Sequence, residues 1–192
     1  LAILLMLLIS VLLVQTEWAQ NFIIGKVTKR ISKDLNTEVS IKRIRLGFFD
    51  KLLLEGTLVR DQQKDTLLYA GRLKVDITDW FFLKKDIELK YLGLENAVVH
   101  LHRVDSVWNY QFIIDSLAPA PTNKKQAKSD IQLYLKTLDL ENVYFKYRDE
   151  WVGQDMVGSI GSLELTAEEF NITRKKIFIN SFTLDKPLFY SY

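Results

Sequence analysis

The chain has 192 residues, 26 of them basic and 24 acidic, with a formal net charge of +2 and 48% apolar residues. Zero cysteines exclude a disulfide scaffold, a thiolate metal site and a cysteine nucleophile. The near balance of charge supplies no global basic field for a nucleic acid, and the apolar fraction excludes disorder.

Leu1–Val14 is apolar at 13 of 14 positions. No second long apolar run follows, which excludes a polytopic membrane protein. Fourteen helical residues span about 21 Å, short of the hydrocarbon core of about 30 Å. Leu1 is not an initiator methionine, so residues upstream are expected to complete the span. A cleaved signal peptide is the rival reading. Its small-x-small cleavage site is missing, because Glu17 stands where a small residue belongs. A retained membrane anchor is therefore expected over residues 1–20, with Trp18 at the interface.

Residues 26–45 hold Lys26, Lys29, Arg30, Lys33, Lys42, Arg43 and Arg45 against only Asp34 and Glu38. Anionic headgroups are the nearest partner for such a patch. Trp18, Phe22, Val27, Ile31 and Leu35 recur at helical spacing, which predicts an amphipathic helix over residues 21–36 that continues the anchor and lies on the membrane surface. The membrane-facing basic residues are expected to be Lys26, Lys29, Arg30 and Lys33.

From Val39 the apolar period changes to two. Leu73, Val75 and Ile77 alternate with polar residues, as do Trp108, Tyr110 and Phe112, and Val143, Phe145 and Tyr147. These read as strands with one apolar face. Residues 118–129 carry two of the chain's three prolines and are expected to form a mobile loop. Tyr147–Gly161 reads as a second, glycine-bearing connection. Short helices are expected at most near Asp79–Lys85 and Ala167–Phe170.

A repeat carries the most information. Leu52-Leu53-Leu54-Glu55, Leu92-Gly93-Leu94-Glu95, Leu138-Asp139-Leu140-Glu141 and Phe182-Thr183-Leu184-Asp185 share one pattern, at spacings of 40, 46 and 44 residues. The second and fourth copies superpose without a gap, Gly71 on Gly161, Leu73 on Leu163 and Leu94 on Leu184. One unit of about 45 residues is stacked repeatedly. Each copy also changes phase: Leu138 and Leu140 are followed by Val143, Phe145 and Tyr147. A strand cannot skip a residue without turning its apolar set to the other face. An extra residue at a bulge or corner beside each acid restores the face, and the acids are expected to stay solvated there.

With helices scarce, the apolar face must close on a second sheet or remain an open furrow of one long curved sheet. The fold expected is mainly β, an N-terminal transmembrane and amphipathic helix followed over residues 37–192 by a repeated, curved, open β-sheet groove. Period alone leaves a closed two-sheet sandwich as the alternative.

The order and spacing of these segments resemble the N-terminal part of the AsmA-like superfamily, most of all its TamB-type members. The carrying residues are Leu1–Val14, Thr16, Trp18–Leu35, Leu52-Leu53-Leu54-Glu55-Gly56, Val59-Arg60-Asp61, Leu73-Lys74-Val75-Asp76-Ile77, Leu94-Glu95-Asn96, Leu140-Glu141-Asn142 and Leu184-Asp185-Lys186-Pro187. The resemblance implies a single-pass anchor in a bacterial inner membrane and a taco-shaped β-groove in the periplasm. It also implies phospholipid transfer toward the outer membrane, and partnership with an Omp85-type outer-membrane barrel through a C-terminal domain not among these residues. The loop at 118–129 is longer than that pattern leads one to expect.

A groove of this kind needs no catalytic residue and no cofactor. Its expected lining is Leu73, Val75, Ile77, Leu89, Val99, Leu101, Phe145, Tyr147, Leu163, Leu165 and Ile179, with phospholipid acyl chains as the partner. An assembly factor for outer-membrane β-barrel proteins and a structural envelope scaffold are the alternatives. No phosphate-binding loop, dinucleotide fingerprint or nucleophile elbow occurs, so an enzyme is not expected. His100 and His102 sit two apart on one strand face without a third ligand at metal-binding spacing, and read as a surface pair.

Overall fold

The computed structural model describes residues 16–46, 51–78, 87–117, 131–171 and 176–192. The anchor expected at Leu1–Val14, the helical piece near Asp79–Lys85 and the loop at 118–129 lie outside the described residues. Among the described residues no helix is long and apolar enough to cross a membrane.

Helix α1 (Glu17–Leu35) ends close to where its apolar spacing ends. Asn36 takes a left-handed conformation (φ 50°). Its N–H donates to the Lys33 carbonyl at 3.3 Å and that of Thr37 to the Ser32 carbonyl at 3.1 Å, a Schellman termination. The exit is then pinned. Ser32 Oγ accepts the Val39 N–H at 3.1 Å, and Thr37 Oγ1 donates to the Arg60 carbonyl at 2.8 Å.

Strands β1 (Val39–Ser40) and β2 (Arg43–Leu46) both pair with β3 (Lys51–Arg60). Then come β4 (Thr66–Thr78), β5 (Ile87–Val104), β6 (Val107–Trp108), helix α2 (Gln111–Leu117), β7 (Ile131–Asp149), β8 (Gln154–Asn171), β9 (Lys176–Asp185) and β10 (Leu188–Ser191). All belong to one mixed sheet in the order β3-β4-β5-β7-β8, with β9 and β10 both on the far side of β8 and β6 on β5. Among the described residues no strand joins β9 or β10 back to β1–β3, so the sheet is open and the sandwich alternative falls away.

Every pairing is antiparallel except β5 with β7. Parallel neighbours cannot be joined by a hairpin and need a crossover of a dozen or more residues. The long stretch holding β6, α2 and residues 118–130 is that crossover, which accounts for a connection that looked too long between adjacent strands. It also divides the sheet into two like units. Strands β3-β4-β5 run up, down and up, and β7-β8-β9 repeat them.

The change of apolar phase occurs at one row crossing the whole sheet. Glu55 pairs with Arg72 and Thr57 with Ala70; Glu95 pairs with Glu141 and Ala97 with Val143; Glu141 pairs with Ser162 and Val143 with Ile160. Gly56, Gly71, Asn96, Asn142, Gly161 and Lys186 fall in the gap between such pairs. On the up strands the residue is left-handed, with φ of 63° at Gly56, 51° at Asn96 and Asn142, and 48° at Lys186. On the down strands it is glycine. A Cβ on Gly71 would stand 3.2 Å from Asn96 Cβ, and one on Gly161 3.0 Å from Lys186 Cβ. The left-handed residue brings its side chain against the neighbouring strand, and only glycine leaves the space.

Two buried clusters lie on the apolar face. Val27 of α1 packs with Ile41, Ile44, Leu52, Leu54 and Val75, flanked by Ile23, Ile24 and Ile31. Ala70, Leu94, Ala97 and Val143 form the second, across the switch row.

Several expectations are corrected. Val27, Ile23, Ile24 and Ile31 of α1 pack onto residues of β2, β3 and β4, while Phe22 of the expected stripe is 57% exposed. Trp108, Tyr110 and Phe112 do not form one strand: β6 stops at Trp108 and Phe112 lies in α2. Tyr147–Gly161 is not a loop, since β7 runs to Asp149, a turn occupies residues 150–153, and β8 begins at Gln154. Gly153 lies in that turn, and Gly158 and Gly161 serve within β8. At Gly158 a Cβ would stand 2.6 Å from Phe145 Cζ and 2.8 Å from both the Leu188 carbonyl oxygen and Phe189 Cδ1. The residues Ala167–Phe170 lie in β8, not in a helix.

Candidate functional site: an apolar sheet face

Strand register lines up the apolar residues in rows. Leu54, Leu73, Leu94, Leu140, Leu163 and Leu184 stand opposite one another from β3 to β9. Beside them runs the row Leu52, Val75, Leu92, Leu138, Leu165 and Phe182. Beyond the switch row lies Val59, Leu68, Val99, Phe145, Gly158 and Phe189. The Phe145 and Phe189 rings come together over Gly158, with centroids 5.4 Å apart.

Cover over this face is uneven. At the β3 end, under α1, Leu52 is 6% exposed and Leu54 5%. Leu138, Leu140, Leu163 and Leu184 are only half-buried, and Phe182 is 53% exposed. Helix α2 lies against α1 and β7. On the same face Leu165 and Ala167 of β8 are buried, while Phe182 of β9 and Phe189 of β10 are 53% and 49% exposed.

Of the expected lining residues, Leu73, Val99, Leu101, Phe145, Tyr147 and Leu163 are half-buried on this face. Val75 and Leu165 are buried at 8% exposure. Val75 packs in the cluster beneath α1, so it belongs to a dry core and not to an open lining. Ile179 pairs with buried Ala167 beyond a bulge and is 52% exposed. Ile77 and Leu89 face each other in register, and their side chains lie outside the described set.

The basic residues of α1 point away from the sheet. Lys26, Lys29, Arg30 and Lys33 are exposed. Arg30 pairs with Asp34 at 3.7 Å, and Lys26 Nζ lies 5.6 Å from the centre of the Phe22 ring.

The acids of the repeat sit on the opposite face. Glu55 meets Arg43 at 3.3 Å and Arg45 at 3.2 Å. Glu95 is buried rather than solvated, held by Arg72 at 2.8 Å and by Lys74. Its register partner is Glu141 across the parallel seam, so two cations on β4 offset the repulsion of two carboxylates. Glu141 and Asp185 are exposed, as expected.

The seam between β5 and β7 is cross-linked by side chains. Tyr91 donates to Asp139 at 3.0 Å, and Asn142 to Asn96 at 3.5 Å. Burial first, and then the bond to Asp139, push the Tyr91 phenol up to about 12. At the other end Asp149, 1% exposed, receives Arg103 through both its oxygens, the Nε bond being 2.7 Å. It also accepts the Tyr147 hydroxyl at 3.1 Å and the backbone N–H groups of Trp151 and Val152. The Trp108 ring lies 5.0 Å from the Arg103 guanidinium and meets the Tyr147 ring at a tilt, with centroids 5.2 Å apart. These bonds reinforce a pairing that is weaker per residue when parallel. The Arg103 bond holds the Asp149 carboxyl below its usual range. Because folded Asp149 binds its proton less readily than the unfolded chain does, stability is complete above about pH 3.9 and falls as the pH drops through and below that value. Acid titration of the melting temperature is expected to show this slope, and D149N is expected to flatten it.

Asn109 ties β5 to the β3–β4 turn. Its amide donates to the His100 carbonyl at 3.0 Å and to Asp61 at 3.3 Å, and its oxygen accepts the His102 N–H at 3.0 Å. His102 Nε2 lies 3.0 Å from Glu150. Among the described residues no group of three His, Asp or Glu side chains converges as metal ligands.

No protein-family model matches this chain, and no curated protein matches it. The reading of the site therefore stands on its geometry.

Proposed function

We propose that this protein is an inner-membrane-anchored bridge that holds phospholipid acyl chains against the apolar face of its sheet and passes them along the rows. In this reading Leu1–Val14 belongs to the anchor, the sheet lies in the periplasm and bends along the switch row into a trough, and lipid moves toward the outer membrane. An Omp85-type barrel is the partner at the far end. The observation that supports this best is the apolar face itself, continuous in register from β3 to β10, covered by α1 at the β3 end and exposed among the described residues at Phe182 and Phe189.

The physics is that of repeated, nearly equal sites. Each acyl CH₂ moved from water onto an apolar wall gains about 0.8 kcal/mol. Successive strands present the same side-chain types at the same register, so a tail can step from Leu140 to Leu163 to Leu184 without a deep trap. Headgroups stay in water, and little polar selectivity is required.

Photo-crosslinkers at Leu163, Val99 and Val75 test this in cells. Leu163 and Val99 are expected to capture phospholipid, while Val75, under α1, captures only protein. Protein adducts alone at all three positions would reject the bridge.

A further inference from the structure

The geometry points to a cleft over the β5–β7 seam, on the polar face of the sheet, as a binding site for a phosphate group. Its basic side chains project away from the apolar rows, so the proposal holds whether or not those rows carry lipid.

The starting point is a register that breaks the charge pattern of this face. His100 stands opposite Lys146, and His102 opposite Arg148. These residues alternate with Leu101 and Tyr147 and so turn to the polar side. Among the described residues no other register pair sets one basic side chain against another. Such pairs repel once both members are charged. Where the same seam sets Glu95 against Glu141, Arg72 and Lys74 offset the repulsion. The basic block is compensated on one side only. The His100 and Lys146 side chains have no partner among the described residues. Arg148 meets Glu150 and Asp155 at 3.7 Å, beyond hydrogen-bond length, and Glu150 is shared with His102 at 3.0 Å. A local rule broken without full compensation is the mark of a functional position.

The block also lines a cavity. His100, His102, Lys146 and Arg148 border a cleft of about 450 Å³ together with Thr66 and Asn109. The four basic side chains rise from the corners of a rectangle of about 5 Å by 7 Å, the strand spacing by a two-residue step. The long Lys and Arg side chains can close that span onto one tetrahedral anion, whereas the two oxygens of a carboxylate engage fewer of the four donors. Two acids share the cleft. Asp61, 4% exposed, is already committed: Oδ1 accepts the N–H groups of Gln63 at 3.0 Å and Asp65 at 2.8 Å, and Oδ2 accepts the Asn109 amide at 3.3 Å. Asp65 stands on the β3–β4 turn, across β5 from β7, and its charge confines the anion to the β7 side. The phosphate can belong to a soluble ion or ester, or to the headgroup of a lipid in a facing membrane.

The 192-residue chain holds two histidines, and both line the cleft, so their ring NMR signals report on this site. The whole chain is titrated in dodecyl maltoside micelles at constant pH and ionic strength. Inorganic phosphate is the soluble probe, and phosphatidic acid mixed into the micelles is the headgroup probe. At least one is expected to shift both histidine signals saturably. A response to phosphate assigns a soluble source, and a response to phosphatidic acid alone assigns a headgroup. Lys146→Gln and Arg148→Gln are each expected to weaken binding about tenfold, with melting curves that stay cooperative, while Lys29→Gln on α1 leaves it unchanged. No saturable shift with either probe, an affinity unchanged in Lys146→Gln, or acetate binding as tightly as phosphate would overturn the proposal.

Discussion

Deleting Asn142 is expected to abolish the native fold. The residue contributes little by itself, a 3.5 Å bond to Asn96 and an exposed side chain. Its role is to absorb one position. Without it, Val143, Phe145 and Tyr147 turn to the opposite face, and Tyr144, Lys146 and Arg148 turn onto the apolar one. Each large apolar side chain lost to water costs about 1.5–3 kcal/mol, and placing charged groups on the apolar face adds more. β7 lies in the middle of the sheet between β5 and β8, so both neighbours lose their partner. The sum approaches the roughly 5–15 kcal/mol that holds a whole domain. Circular dichroism melts are expected to lose their cooperative transition. Asn142→Gly, which suits φ 51° without a side chain, is expected to keep it. A deletion variant that melts normally would show that the switch row does not set the register.

Leu54→Ala is expected to destabilise the protein by about 2–5 kcal/mol, as a buried leucine beneath a helix does. Leu184→Ala, in the same row five strand pairings away, is expected to cost about 1 kcal/mol or less, since that side chain is half-exposed and leaves no cavity. Chemical denaturation of the two variants measures the difference directly. A closed core would make the two costs alike. The graded cost is the thermodynamic counterpart of a face roofed by α1 at one end and uncovered at the other, and it can be obtained without knowing the ligand.

Much of the sheet was legible in the chain because its strands obey a two-residue period and its repeats share a motif. The repeated Leu-Glu-Asn at Leu94–Asn96 and Leu140–Asn142 marked both the phase change and two strands that prove to be neighbours. Their offset of 46 residues is also that of the Arg103–Asp149 pair across the seam, a signal present in the sequence but invisible without knowing that β5 and β7 run parallel. The aromatic alternation of Trp108, Tyr110 and Phe112 misled because three residues at period two also fit a turn entering a helix. The glycines at 153, 158 and 161 suggested a loop because glycine is frequent in turns. Two of them sit inside β8, Gly158 giving room to two phenyl rings and Gly161 to Lys186.

The amino-acid sequence by itself determined the β class, the stacking of like units, the place where each strand changes face and the C-terminal end of α1, since all of these are local patterns of side-chain period and backbone conformation. Only the tertiary structure decided that β5 and β7 are parallel, that Val27 of α1 packs among residues of β2–β4, and that Asp149 and Glu95 are buried with cations. Those facts depend on which surfaces meet across the sheet, and a one-dimensional pattern of apolar and polar residues is satisfied equally by any partner that removes the same side chains from water.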